Sequence, residues 1–201
     1  MARMGEPAYK LDRRYTYRDY LTWPEDERWE LIGGVAYNML SAPNRRHQAI
    51  SMLLSRRLAN FLDGKPCKVY AAPFDVLLPE IGEDDDGDVS NVVEPDLVVY
   101  CGEGRLKKYG ARGAPDIAIE ILSPSTQVKD LREKFDLFER MGVREYWVID
   151  PPGESINRFV RDENGRFGQP ELREPFFKKG PIASTVLEGF SIDPVELFAA
   201  E

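Results

Sequence analysis

The stretch Asp116-Ile117-Ala118-Ile119-Glu120-Ile121-Leu122 constrains this chain more than any other. It is almost continuously apolar, which predicts a strand buried on both faces rather than one with a wet side. Glu120 breaks the pattern. An ionised carboxylate inside such a strand is costly unless something pairs with it. A metal ion or a lysine would serve, and so would a purely structural ion pair.

A second irregularity lies in the segment that follows. Ser123-Pro124-Ser125-Thr126 reads as a turn and helix start, with a helix over 126–141 ended by Gly142. At 100° per residue, Leu131, Phe135, Leu137, Phe138 and Met141 fall on one side. Arg132, Glu133, Asp136, Glu139 and Arg140 fall on the other. Lys134 lies inside the apolar arc, and Gln127, seven residues earlier, points the same way. A lysine there either snorkels to solvent or meets a buried acid. Asp130 is one turn before Lys134 and can form a helix ion pair with it.

The remaining punctuation fits one α/β domain. Residues 1–15 read as a loose N-terminal arm, and a short helix is expected over Tyr17–Leu21, stopped by Pro24. Trp29–Ile32 and Val35–Leu40 flank Gly33-Gly34, the pattern of a tight hairpin. A helix is expected from His47 to Phe61, with Ile50, Leu54, Leu58 and Phe61 at helical spacing. Strands are expected over Val69–Leu78, Val92–Tyr100 and Glu145–Asp150, then a hairpin about Asn164-Gly165 and a final helix near Pro194–Phe198. The 80–88 stretch holds six acids and is expected as a mobile, solvated loop. It lacks the spacing of an EF-hand.

Composition then narrows the chemistry. The single histidine, His47, excludes metal centres built on several imidazoles. No G-x-S-x-G stands near a histidine base, so a serine triad has no support. Any metal must rest on carboxylates, which points to hard ions such as magnesium, manganese or calcium. Cys67 and Cys101 form no C-x-x-C pair and are expected as two buried thiols. The net charge of −8 opposes nonspecific DNA binding, but the 80–88 stretch supplies six of those charges. No apolar run approaches the roughly 18 residues of a membrane span. With no signal-like start, the chain is expected in the cytoplasm.

Other candidates read more plainly. Asp96 starts the run Leu97-Val98-Val99-Tyr100 and is either a metal ligand at a strand mouth or a cap. Glu30 alternates away from Trp29 and Leu31, so solvent exposure is expected. Asp75 and Glu94 are expected to be structural. His47 is in phase with Ile50 and Leu54, as a packed or capping histidine, with a DNA phosphate contact as the alternative.

Together these residues resemble a large bacterial family of restriction-endonuclease-like proteins in the PD-(D/E)XK nuclease superfamily. The resemblance rests on Trp29-Glu30-Leu31-Ile32-x-Gly34, the His47 helix, and Glu94-Pro95-Asp96-Leu97-Val98-Val99. It continues through Pro115 to Thr126, Asp130-x-x-x-Lys134 and Gly142 to Pro151. It covers roughly residues 15–198, with the specific part from Asp116 to Pro151. It implies a restriction-endonuclease-like α/β fold: a mixed central β-sheet flanked by helices, with an N-terminal β-hairpin and β-rich C-terminal additions. It carries Asp96 over as the signature Asp, Glu120 as the second acid, and Glu30 as an acid of the N-terminal hairpin. The signature lysine would stand at 122, where this chain has Leu122; Lys134 matches a family position in which the lysine has moved to the helix. A second departure is Gly33-Gly34 where the family usually has Asp-Gly.

The implied activity is metal-dependent hydrolysis of DNA. Asp96, Glu120 and the Ile121 carbonyl would hold magnesium, with manganese as a substitute, and Lys134 would orient water or stabilise negative charge. Glu30, Gln127 and His47 are accessory candidates. DNA is the expected partner, and a homodimer is compatible with cutting both strands. Two rivals stand: a nuclease-like binding or regulatory module that no longer cuts, and a phosphodiesterase acting on RNA or a small nucleotide.

Overall fold

The computed structural model describes residues 13–24, 26–39, 43–123, 130–168 and 180–199. The expected 1–15 arm therefore lies almost wholly outside them, as do Gln127 and the predicted helix start at Thr126. No helix among the described residues is long and apolar enough to cross a membrane.

The buried strand sits where its composition demands. β3 (Cys67–Ala71), β6 (Leu97–Cys101), β9 (Ile117–Ile121), β10 (Glu145–Asp150) and β11 (Ser155–Val160) form a mixed sheet in the order β11-β10-β9-β6-β3. β9 lies at its centre, parallel to β10 and antiparallel to β6. All five residues of β9 are buried. Alternation sends successive side chains to opposite faces. Ile117, Ile119 and Ile121 join Leu97, Val99, Trp147 and Ile149 against Ile50, Leu54 and Leu58 of α2 (Arg45–Leu62). Ala118, Val98, Tyr146 and Val148 face Leu137 and Phe138 of α3 (Phe135–Met141).

Helix ends follow their signals. The Asn44 side chain accepts from the His47 N–H at the start of α2. Gly142 ends α3 in the left-handed region, φ 90°. The segment expected as one helix over 126–141 is different in its described part. Asp130–Lys134 is a π-helical turn, and the α-helix proper begins at Phe135.

A second sheet carries the N-terminal hairpin. β1 (Trp29–Ile32) and β2 (Val35–Asn38) meet across Gly33-Gly34, as predicted, with Ile32 opposite Val35. Both glycines have positive φ, 57° and 77°, the backbone of a two-residue hairpin turn. The sheet continues through β5 (Val92–Val93), β4 (Asp75–Leu77), β8 (Gly110–Arg112) and β7 (Leu106–Lys107) in the order β2-β1-β5-β4-β8-β7. α1 (Tyr17–Tyr20) packs over it.

Two expected strands are each split, and the split positions the site. Val69–Leu78 divides into β3 and β4 about Pro73; Val92–Tyr100 divides into β5 and β6 about Glu94-Pro95-Asp96. β3 pairs β6 in the first sheet and β4 pairs β5 in the second, so a single antiparallel ribbon bends from one sheet into the other. Prolines 73 and 95 have no N–H to extend either ladder. The pairing register also steps by one residue across the bend.

Three further expectations are corrected. Cys67 and Cys101 are directly opposed across β3 and β6 and form a disulfide. Register, invisible in sequence spacing, joins two residues 34 apart. Disulfides persist in oxidising surroundings, so this bond and the cytoplasmic expectation pull in opposite directions. The 80–88 stretch is not merely solvated. Arg18 pairs with Asp85 and Asp88, and Arg112 with Asp86 while donating to the Glu83 carbonyl. The turn at Asn164-Gly165 is present, but it closes only an isolated bridge, Arg161 with Phe167. The C-terminal part adds β12 (Ile182–Ala183), β13 (Ser191–Ile192) and α4 (Pro194–Phe198), the last as predicted.

Candidate active site

Glu120 does find a partner. Lys134 Nζ lies 2.5 Å from Glu120 Oε1 and 2.8 Å from Glu30 Oε1. All three are buried: Lys134 is 1% exposed, Glu120 4% and Glu30 0%. The apolar arc that placed Lys134 inside the helix is therefore real, and the lysine meets acids rather than snorkelling. A π-helical turn delivers it, a local widening often found at functional sites.

Glu30 departs from expectation. Alternation predicted a wet face for it, but Trp29, Glu30 and Leu31 are all buried. The reason is tertiary. β1 lies between β2 and β5, so the hairpin is not a free two-stranded ribbon with a solvent side. Glu30 Oε1 also accepts the Glu94 N–H at 2.9 Å, which ties the carboxylate to the bend of the ribbon.

Asp96 stands beside this trio. Carrying the β6–β9 register one residue past Leu97↔Ile119 sets Asp96 opposite Glu120. Its Oδ2 accepts the Ile121 N–H at 2.8 Å and lies 3.2 Å from His47 Nε2. With a side chain 22% exposed, it is the more open of the two signature acids. His47 is thus packed, as expected, and also brought to the site from the first turn of α2. Ile121 is the last residue of β9, and its N–H donates to Asp96.

Asp75 and Glu94, expected to be structural, are held by three residues that sequence reasoning did not single out, Tyr17, Tyr20 and Arg28. Glu94 takes two hydrogen bonds from Arg28, at 2.5 and 3.1 Å. Tyr20 donates toward Glu94 Oε1 at 3.3 Å and Asp75 Oδ1 at 3.2 Å, and Tyr17 toward Asp75 Oδ2 at 3.3 Å. Burial pushes the Tyr17 hydroxyl up to about 12 and the Tyr20 hydroxyl higher still, reinforced by the nearby carboxylates. Both phenols stay protonated as donors. Burial, then the Glu94 charge, raises the Asp75 carboxyl to about 6. The signal that could have flagged these residues is the density of tyrosines just before the first hairpin.

The Asp75 shift has a readable consequence. An acid whose folded value lies above its unfolded one binds more protons when folded, so acidification stabilises it. The contribution grows as pH falls through about 6 and is complete below the unfolded value of 3.8. Melting temperatures of wild type and Asp75→Asn, compared between pH 7.5 and 4.5, should therefore diverge in favour of wild type as pH falls. A difference constant with pH would contradict the shift.

The three sequence-derived acids, Glu30, Asp96 and Glu120, and the lysine converge, then, on one place: the bend of the ribbon, the end of β9 and the π-helical turn. Such an arrangement can bind a hard cation through Asp96 and Glu120 while holding an ammonium close by. Gln127 lies outside the described residues.

The fold has a solved counterpart. The crystal structure of a putative nuclease belonging to DUF820 from Anabaena variabilis superposes with a TM-score of 0.71 at 18% identity, over 92% of this chain and 97% of that one. A relative in sequence is the uncharacterized protein slr1290 of Synechocystis sp., 26% identical over 150 residues, which are 73% of this chain and 74% of that protein. A model of the PD-(D/E)XK-like Uma2 family, described as "Putative restriction endonuclease", matches residues 17–195, and the chain belongs to that family.

Proposed function

We propose that the protein is a metal-dependent endonuclease that hydrolyses DNA phosphodiester bonds, with Asp96, Glu120 and Lys134 as its catalytic residues. The observation that carries this reading is the buried Glu30–Lys134–Glu120 contact beside Asp96. Structural ion pairs are mostly placed on surfaces, whereas an ammonium enclosed by two acids at the bend of a sheet is a costly arrangement. The family and the fold are nuclease-like, and the chemistry of the residues agrees.

Magnesium fits the donor set. The available ligands are carboxylate oxygens, which hard cations prefer. Among the described residues no group of three or more His, Cys, Asp and Glu is arranged to hold a metal. Magnesium does not need one, because it is commonly bound by one or two carboxylates, with waters and phosphate oxygens completing the shell. Asp96 and Glu120 would hold it, aided by the Ile121 carbonyl, with manganese as a substitute. When bound, the ion supplies positive charge to the phosphate and acidifies a water.

The chain's own residues do the rest. Lys134 presents a fixed ammonium that stabilises negative charge developing on the phosphate. Glu30 positions Lys134 through a second ion pair, 2.8 Å from its Nζ. His47 and the Ile121 N–H fix the rotamer of Asp96. The trio of two carboxylates and one ammonium carries a formal charge of about −1, so with Asp96 the site attracts a cation before it can accept a phosphate.

The alternative is a nuclease-like binding or regulatory module. It is favoured by the near-complete burial of Lys134 and Glu120 and by the net charge of −8. The two are separated with labelled DNA and RNA oligonucleotides under magnesium, manganese and excess EDTA. A nuclease gives DNA cleavage that EDTA abolishes and added metal restores. Preferential cutting of RNA would move the substrate class, and binding without cutting under every metal would support the module.

A further inference from the structure

On the reverse of the strand that carries Glu30 lies an unassigned cleft of about 250 Å³, lined by Tyr15, Trp23, Pro24, Glu27 and Trp29. Its walls are aromatic and mutually steep. The Tyr15 and Trp23 rings meet edge to face at 5.4 Å and 77°, and the Trp23 and Trp29 rings at 5.3 Å and 64°. They are firmly held. Tyr15 N–H donates to the Gly34 carbonyl at 2.8 Å, and Trp29 is part of the sheet.

One charge completes the cleft. Trp29 Nε1 donates to Glu27 Oε2 at 2.9 Å, which fixes the carboxylate at the rim. No cation of the described chain answers it. Arg13 pairs with Asp19 and lies over the Tyr15 ring, 5.0 Å from its centroid, Arg14 donates to the Gly33 carbonyl, Arg18 pairs with Asp85 and Asp88, and Arg28 with Glu94. Aromatic faces carry negative charge, and rings set around a cavity with a carboxylate favour large, weakly hydrated cations. The volume falls below the roughly 300–1,000 Å³ of pockets for drug-sized ligands, so the ligand is a small headgroup. The carboxylate disfavours phosphates.

We propose that this cleft is a binding site for a small organic ammonium ion, with Trp23 and Trp29 contacting its alkyl groups and Glu27 balancing its charge. The site is separate from the proposed cutting chemistry and stands without it. Trp29 and Glu30 are neighbours on β1 whose side chains point to opposite faces.

The test is a tryptophan-fluorescence titration of the full chain with choline chloride at constant ionic strength. The control ligand is 3,3-dimethylbutan-1-ol, the uncharged isostere. The expected result is a saturable response to choline and binding of the isostere at least tenfold weaker. Glu27 is exposed, so Glu27→Gln keeps the fold and should weaken choline at least threefold. Trp23→Phe, which retains a ring, should weaken it as well. Equal affinity for the neutral isostere, unchanged affinity in Glu27→Gln, or no saturation by choline would each overturn the proposal.

Discussion

Replacing Lys134 by methionine should destabilise the protein by about 3–5 kcal/mol. The two side chains are similar in length, so packing changes little. What changes is charge: Glu30 and Glu120, 0% and 4% exposed, lose the ammonium they share. Stranding a buried charge is far costlier than losing a surface pair, which typically contributes about 0–1 kcal/mol. For a chain of this size the melting temperature should fall on the order of 10 °C. The triple variant Glu30→Gln, Glu120→Gln, Lys134→Met removes all three charges and should recover much of the loss, because glutamine at 30 can still accept the Glu94 N–H. Urea denaturation of both variants checks this. A single-variant loss under about 1 kcal/mol would mean that the trio is solvated.

The second large effect is on activity. Glu120→Gln keeps the shape of the side chain and removes its charge. If Glu120 holds a cation that stabilises the transition state by several kcal/mol, cleavage should fall about a thousandfold or more. Asp96→Asn should do the same, whereas Glu30→Gln, which acts through Lys134, should cost less. Initial rates on a labelled duplex give the order. Stability separates the causes: Glu120→Gln leaves Lys134 paired with Glu30, so its loss of activity should far exceed its loss of stability.

The parts of this structure that sequence made legible are those governed by local pattern. The seven residues from Asp116 to Leu122 announce a doubly buried strand, Gly33-Gly34 announces its turn, and Lys134 stands out against the apolar arc that surrounds it. Its place at a strand mouth made Asp96 a candidate ligand or cap, and resemblance gave it and Glu30 a role. What stayed hidden depends on long-range pairing. The strands expected at 69–78 and 92–100 read as continuous because both halves are apolar, yet each crosses from one sheet to the other at a proline. That crossing makes the bend at which Asp75, Glu94 and Asp96 gather. Glu30 looked exposed because alternation describes one strand and says nothing of what covers it. The Cys67–Cys101 bond follows from register alone. The tyrosine and arginine contacts of Asp75 and Glu94 join residues 55 to 74 apart in sequence, beyond the reach of any periodic pattern.

Lys134 reaches Glu120 from the helix and not from the strand that bears the acid. At position 122, two residues after the acid, a lysine would rise from the same face of β9 as Glu120. Leu122 fills that place and packs with Val148 and Leu137 in the core. Lys134 Nζ is also paired with Glu30.

We propose that Asp96, Glu120 and Lys134 make one metal-dependent cutting site. Its most direct test is nicking of supercoiled plasmid in magnesium or manganese, with wild type beside Glu120→Gln purified in the same way. Wild type should convert the plasmid to open circles only with metal, and the variant should give none above background. Well-folded wild type that leaves the plasmid intact under both metals, or cleavage that survives Glu120→Gln, would contradict it.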